Sequence, residues 1–328
     1  MKIQYIEVAG YKSLKEARVD LRSINILVGS NGSGKSNFLS FLEFVNSVYE
    51  RKLHQYVAFR GGEDKMLHQG GKGTQSISAK IKFDTHAYLF EVIKTGMGFV
   101  FTKDGLWDDR DPDRNKSVDV SNGRREADIK LSNLPREDAV RGHLGNFRKY
   151  HFQETGGTSP INRLSHIQND IYFLYDKGQN LGAFLFNIRQ CDSSAYKLIV
   201  MTIQSIVPYF ADFYFQPNAG GYTALQWHDK YSSAIYDVSD LSNGTLRFMA
   251  MTALLLQPAL PPVILIDEPE LGLPPEAIVK LAGMIQSAAA RDTQVIVATQ
   301  SDNLINHFEA KDLITVNWYN GGSLFKRP

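Results

Sequence analysis

Apolar and polar positions change period several times along this chain. They alternate from Ile3 to Val8, the period of a half-buried strand. Ile24, Ile26, Leu27 and Val28 form a compact apolar run that predicts a short buried strand. From Ser36 onward Phe38, Leu39, Leu42, Val45, Val48 and Tyr49 recur at helical spacing. Residues 75–102 carry three β-rich runs, ISAKIKF, YLFEVI and GFVFT, with short polar breaks that predict antiparallel strands. Residues 136–210 read as mixed but mainly helical, AFLFNIRQ and SAYKLIVMTIQSIV being the clearest helices. DFYFQP and GYTALQWH then predict strands. The last part alternates: helix over 245–256, strand over 263–266, helix over 275–290, strand over 294–298, a short helix near 302–307 and a strand over 313–318. That alternation predicts an α/β layer structure.

Composition narrows the picture only a little. The chain has 328 residues, 43% hydrophobic and 22% charged, enough for a sizeable core. Its formal net charge of +1 demands neither nucleic acid nor membrane as a partner. A single cysteine, Cys191, rules out an intrachain disulfide and points to a reducing, cytoplasmic setting. The opening MKIQYIEVAGYKSL lacks the apolar core of a signal peptide. The apolar stretch 248–266 looks like a membrane span at first. Gln257, Pro258, Pro261 and Pro262 break it into a buried helix, a tight connection and a buried strand.

Candidate chemistry begins at GSNGSGKSN, residues 29–37. Gly29, Ser30, Asn31, Gly32, Ser33, Gly34, Lys35 and Ser36 fit G-x-x-x-x-G-K-[ST], and Asn37 completes the run. Glycines let successive N–H groups face inward as an anion nest. The helix that follows aims its positive end at the same point. Lys35 would reach the β- and γ-phosphates of ATP, and Ser36 would place its hydroxyl on Mg²⁺. VILIDEPE, 263–270, is a buried strand that ends in two acids. Asp267 would hold Mg²⁺ and Glu268 would polarise the attacking water. LSNGTLRFMAMTALLL supplies a second helix N-terminus, where Ser242 would cap the helix, Asn243 follows, and Gly244 allows close backbone approach.

These three motifs, in this order, resemble the ABC-type ATPases, and more closely the soluble RecF/SMC/OLD-like branch with its short AAA_21-type members. YKSL at 11–14, LIDEPELGLPP and VIVATQS carry the likeness further, while residues 60–235 carry little of it. The resemblance implies an α/β P-loop NTPase, an ABC-ATPase head with an antiparallel β subdomain and a mainly helical lid insertion. The whole chain, 1–328, would be one head: 1–105 with the phosphate loop and antiparallel strands, 106–235 the lid insertion, and 236–328 the signature helix, acidic strand and switch strand. It also implies a head-to-tail homodimer formed on ATP. Ser242, Asn243 and Gly244 would touch the γ-phosphate held by the other copy's Lys35 loop, with residues 270–275 along the seam. Gln300 stands where the switch residue is commonly His. It can hydrogen-bond a γ-phosphate but cannot become a cation, which implies slow turnover. The usual signature L-S-G-G-Q has Asn243 and Thr245 at its third and fifth positions here. Gln69, in LHQGGKG, is the candidate for the glutamine that approaches the metal.

The family adds a protein partner or effector of unknown identity, DNA as a further candidate partner, no membrane, and a setting in DNA maintenance or phage defence. Two rival readings stay open: a transporter's nucleotide-binding subunit, and a non-catalytic ATP-binding scaffold. No second catalytic domain, such as the Toprim nuclease of OLD-type ATPases, is expected. Asp109, Asp111, Asp113 and Asn115 have the alternate spacing of a calcium loop, but Arg114 and Val120 stand where Gly and Glu are needed, so the run reads as a solvated loop. RGHLGNFRKYHF, 141–152, mixes cations with aromatics and reads as a surface element or a nucleic-acid contact.

Overall fold

The computed structural model describes residues 2–109, 124–131, 138–152 and 159–328. Asp111, Asp113 and Asn115, with their calcium-like spacing, lie outside the described residues.

The chain opens with antiparallel strands β1 (Tyr5–Tyr11) and β2 (Leu14–Asp20), then β3 (Ile24–Val28), which runs into the glycine loop and helix α1 (Lys35–Tyr49). Helix α2 (Leu53–Phe59) precedes β4 (Ser76–Lys82), β5 (His86–Thr95) and β6 (Gly98–Asp108). The next part contains α3 (Asp138–Leu144), β7 (Lys149–Tyr150), β8 (Ser165–His166), α4 (Leu181–Cys191), α5 (Ser193–Gln204), β9 (Phe210–Tyr214), β10 (Tyr222–Thr223), β11 (Gln226–Asp229) and β12 (Ile235–Asp237). The chain closes with α6 (Asn243–Leu256), β13 (Val263–Asp267), α7 (Pro275–Ala290), β14 (Gln294–Thr299), α8 (Asp302–Ile305), β15 (Leu313–Tyr319) and β16 (Gly322–Lys326).

Two sheets position the site. The first is antiparallel, in the order β2-β1-β4-β5-β6. The second runs β16-β15-β3-β14-β13-β7 and is parallel except for the terminal β15–β16 hairpin. Its central strands are buried on both faces, as expected of a parallel sheet covered by helices. Side chains alternate between two cores. On β13, Ile264 and Ile266 join a cluster with α4, α5, α6 and α7, while Val263 and Leu265 join a cluster with α1 and the antiparallel sheet. On β14, Val295 and Val297 face the first core and Ile296 and Ala298 the second. Helix α1 is thus clamped between sheets. Its fully buried Phe38, Phe41 and Phe44 contribute about 1.5–3 kcal/mol each.

Helix α6 is buried on every side from Leu246 to Leu256, which explains why its sequence imitates a membrane span. Among the described helices none is long and apolar enough to cross a membrane. The part read as mixed but mainly helical, 136–210, holds α3, α4 and α5 with the two-residue β7 and β8 among them; β9, β10 and β11 lie where strands were expected, and β12 joins them in the three-stranded sheet β12-β11-β9. Aromatic packing holds that small sheet, with the Trp227 ring stacked between Phe210 and Tyr236.

Candidate functional site

Strand β3 delivers the chain to a tight loop at 29–34. Gly32 and Gly34 have φ of 78° and 114°, a region that side-chain-bearing residues avoid. The loop also lies hard against the β15–β16 hairpin. A Cβ on Gly29 would stand 2.2 Å from the Val316 carbonyl oxygen, and one on Gly34 would stand 1.9 Å from Ser323 Oγ. Beneath it, the Ser13 and Ser323 hydroxyls share a 2.8 Å hydrogen bond, and Asn37 Nδ2 donates to Ser13 Oγ at 2.8 Å. Ser30, Asn31 and Gly32 form the exposed tip, whereas Ser33, Gly34 and Lys35 are buried.

The loop's donors suit a polyphosphate. Helix α1 starts with Gly34 as its cap, no side-chain capping bond and no acid in its first turn. A helix start of that kind offers its first N–H groups to an anion. Ser33 Oγ is buried without a hydrogen-bond partner among the described residues. Lys35 Nζ donates to the carbonyls of Gly29 and Ser30 at 2.6 and 3.0 Å, two of its three donors. Burial lowers the Lys35 pKa, and the nearby Glu268, Asp267 and Glu270 carboxylates oppose that shift.

The acidic end of β13 joins residues 231 positions apart: Ser36 Oγ donates to Asp267 Oδ1 at 3.3 Å. Lys149 Nζ, from β7, lies 3.5 Å from the other oxygen, Oδ2. A hydroxyl and one carboxylate are hard oxygen donors, a set that fits Mg²⁺ completed by phosphate oxygens and water. No group of three or more His, Cys, Asp or Glu that could hold a metal by itself occurs among the described residues. Next along the strand, Glu268 has φ of 48°, and its N–H is held on the Ala298 carbonyl at 2.8 Å. A strained, pinned backbone at a non-glycine residue is characteristic of functional positions. Gln300 Nε2 donates to Glu268 Oε1 at 3.3 Å, so the end of β14 meets the end of β13 through these two side chains.

Helix α6 begins with Ser242 accepting from the Thr245 N–H at 3.1 Å. Ser242 and Asn243 are exposed, and no hydrogen bond among the described residues ties 242–244 to the phosphate loop of their own chain. Gly244 instead presses on the segment after β13, where an added Cβ would stand 2.2 Å from the Gly272 carbonyl oxygen. Inside this junction Glu270 is buried, accepts a hydrogen bond from Thr299 Oγ1, and leaves Oε2 without a partner among the described residues. Burial raises its pKa; the Thr299 bond opposes this and the Glu268 and Asp267 charges add to it.

The structure brings together Lys35, Ser36, Asp267, Glu268 and Gln300. It does not add Gln69, which has φ of 53° and lies beside Gly73 and Gly321 with no hydrogen bond to Ser36 or Asp267. The strand that flanks the acidic end of β13 is β7, and the next glutamine after it, Gln153, lies outside the described residues. The basic run at 141–152 does not present one cationic row. Arg141 pairs with Asp138, Arg148 stacks over the Phe173 ring at 3.7 Å, and Lys149 turns to Asp267. Sequence reasoning missed Lys149 and the Thr299–Glu270 contact. The signal for Lys149 was that same basic run, read as facing outward.

Residues 24–306 match the family described as "AAA domain, putative AbiEii toxin, Type IV TA system" (AAA_21). Over 111 residues the chain is 32% identical to the DNA double-strand break repair Rad50 ATPase of Pyrococcus abyssi, covering 33% of this chain and 12% of that protein. Over 101 residues it is 37% identical to Structural maintenance of chromosomes protein 3 of Arabidopsis thaliana, covering 29% and 8%. The chain therefore spans only a small part of the length of these relatives. In fold it is similar to an SMC head bound to the C-winged helix domain of ScpA, with TM-score 0.66, 16% identity, and 99% and 97% of the two chains covered. It is also similar to an Smc head with an extended coiled coil bound to the C-terminal domain of ScpA, derived from Pyrococcus furiosus, with TM-score 0.62, 14% identity, and 99% and 96% covered. With an SMC-head fold, a phosphate loop facing an acidic strand, and most of its length matched, the chain belongs to the AAA_21 family, related to the SMC and Rad50 ATPases.

Proposed function

We propose that this protein is an ATP-binding and ATP-hydrolysing switch whose nucleotide is sandwiched between two copies of the chain. One observation carries the reading: the Ser36–Asp267 contact, which sets the phosphate loop and the acidic strand end face to face. Residues 29–35 cradle the phosphates through backbone N–H groups and the Lys35 ammonium. Ser36 and Asp267 would hold Mg²⁺, which would neutralise phosphate charge when bound. Glu268 accepts the proton of the attacking water. Gln300 positions that water or donates to the γ-phosphate, and its bond to Glu268 keeps the two groups in register.

A single loop neutralises only part of a triphosphate's charge and leaves one side open to water, which weakens each contact. The exposed start of α6 has donors, a serine cap and no engagement with its own loop. On this reading Ser242, Asn243 and Gly244 close over the γ-phosphate of the other copy. ATP then bridges two heads and hydrolysis releases them. A protein partner that reads the head arrangement is part of the proposal, supported by SMC heads seen with ScpA domains. A role in DNA maintenance or phage defence is part of the proposal; the Rad50 relative's name, a DNA double-strand break repair ATPase, supports the first, and the family description names a putative toxin of a type IV TA system.

Phosphate release from ATP with Mg²⁺ tests the reading. Wild type is expected to turn over slowly, Glu268→Gln to lose about 100-fold or more of the rate while still binding ATP, and Lys35→Ala to lose binding. Wild type that neither binds nor hydrolyses ATP would refute it.

A further inference from the structure

Strand β7 consists of two residues, paired in parallel with β13 so that Lys149 lies beside Leu265 and Tyr150 beside Ile266. Side chains alternate between faces, and a one-residue slip would exchange them. In this register Tyr150 packs in the α6 and α7 core, while Lys149 lies on the face of Leu265, toward α1. Asp267 is two residues beyond Leu265 on that same face, within reach of a four-carbon arm. The Lys149 and Asp267 side chains are only 18% and 11% exposed, so their 3.5 Å approach is a sheltered contact and not a solvated surface pair.

Lys149 also lines a cavity of about 550 Å³ between α1, α2 and the segment after β7, together with Glu43, Tyr56 and Arg60. Glu43 sits on α1, pairs with Arg60 at 3.3 Å, and faces the same cavity as Lys149; burial raises its pKa and the nearby Lys149 and Arg60 charges oppose that rise. The Lys149 ammonium therefore has two carboxylates available: Asp267 at the acidic end of β13 and Glu43 across the cavity.

We propose that Lys149 is a built-in counter-cation for Asp267 that Mg²⁺ displaces. This rests on the nucleotide-site reading above. Without the metal, Lys149 neutralises the carboxylate that would repel a bound triphosphate. With Mg²⁺ on Asp267, its charge would repel the ammonium beside Oδ2, and Lys149 moves toward Glu43. Because β7 is an edge strand held by two residues, that motion reaches the cavity wall as well as the acidic end of β13. A lysine on an edge strand also discourages unwanted strand pairing. That role needs no approach to Asp267 and is indifferent to magnesium.

The experiment compares ATP affinity in EDTA and in Mg²⁺, using a fluorescent ATP analogue, for wild type, Lys149→Met and Lys149→Arg. Binding of Mn²⁺ to the complex with a non-hydrolysable analogue, followed by electron paramagnetic resonance, gives the metal affinity directly. In Lys149→Met, metal-free ATP binding is expected to weaken and metal binding to tighten. The ratio of the two ATP affinities then rises about threefold to tenfold, between the exposed and buried ion-pair cases. Lys149→Arg, which keeps the charge, is expected to stay near wild type. Lys149→Gln serves if the methionine variant does not fold. An unchanged ratio, or weaker metal binding in the uncharged variant, overturns the proposal while leaving the nucleotide site intact. Wild type that binds no ATP in Mg²⁺ overturns the site reading itself, and this proposal with it.

Discussion

Gly244→Ala sets two effects of opposite sign against each other. Gly244 is the second residue of α6, and its φ is not in the left-handed region. Judged by helix propensity alone, alanine is better there by up to about 1 kcal/mol. The tertiary contact opposes this. The new Cβ would stand 2.2 Å from the Gly272 carbonyl oxygen, against a practical minimum of 3.0 Å, so helix and loop must part by about 0.8 Å. Both sides are backbone, and neither can rotate away. Overpacking of that kind costs about 1–3 kcal/mol; with a central cost of about 2 kcal/mol and the full propensity gain, the net loss is about 1 kcal/mol, and about 2 kcal/mol at the upper end. For a chain of this length that is a fall in Tm of about 1–3 °C. Gly283, exposed within α7 and with nothing near its missing Cβ, is the matched control, and Gly283→Ala is expected to raise Tm. The functional consequence is separable. Gly244→Ala should bind a fluorescent ATP analogue within about twofold of wild type, since the phosphate loop is untouched. It should lose ATP-driven association by about tenfold or more, because a displacement near 1 Å misplaces the donors. A Gly244→Ala protein as stable as Gly283→Ala, and fully able to associate, would refute the reasoning.

Lys35→Ala should lower ATP affinity about 100-fold or more in equilibrium binding while its Tm stays near wild type; tight binding in that variant would contradict the cradle. Gln300→Ala should cut steady-state turnover about tenfold with ATP affinity within about threefold, separating a group that acts on the reacting phosphate from one that merely binds. Glu270 gives a pH signature. Burial raises its pKa above the ordinary 4.5, so the folded protein holds this proton more tightly than the unfolded chain. Its contribution to stability is full below about pH 4.5 and is lost as pH rises through the raised value. Glu270→Gln, which cannot ionise, should therefore gain Tm relative to wild type as pH rises from 4 to 8; a difference flat across that range would contradict the assignment.

Much of this fold was legible because the central strands and helices satisfy one pattern at a time. Strand β3, helix α1 and helix α7 lie where apolar spacing put them, and β13 and β14 extend one residue beyond, to Asp267 and Thr299. Strand β2 was missed because it is an edge: only Leu14 and Val19 are buried, too few to set a period. Strand β7 has no period at all, since two residues define none, and it exists only through pairing with β13. Strands β8 and β12 were missed because they are only two and three residues long. Within the site, the phosphate loop and the acid pair announce themselves by local order along the chain. Lys149 meets Asp267 only through the order of strands in the sheet, which no local pattern encodes. For Gln69 no local pattern could decide, since proximity to the acidic end of β13 depends on which strand flanks it.

The most direct test is the solution mass of Glu268→Gln by light scattering, with EDTA, with Mg²⁺ alone, and with ATP and Mg²⁺ together. A mass that doubles only with ATP and Mg²⁺, and does not double when Ser242→Arg is added, is the expected result. A mass that stays monomeric under all three conditions, in a protein shown to bind ATP, would contradict the sandwiched site.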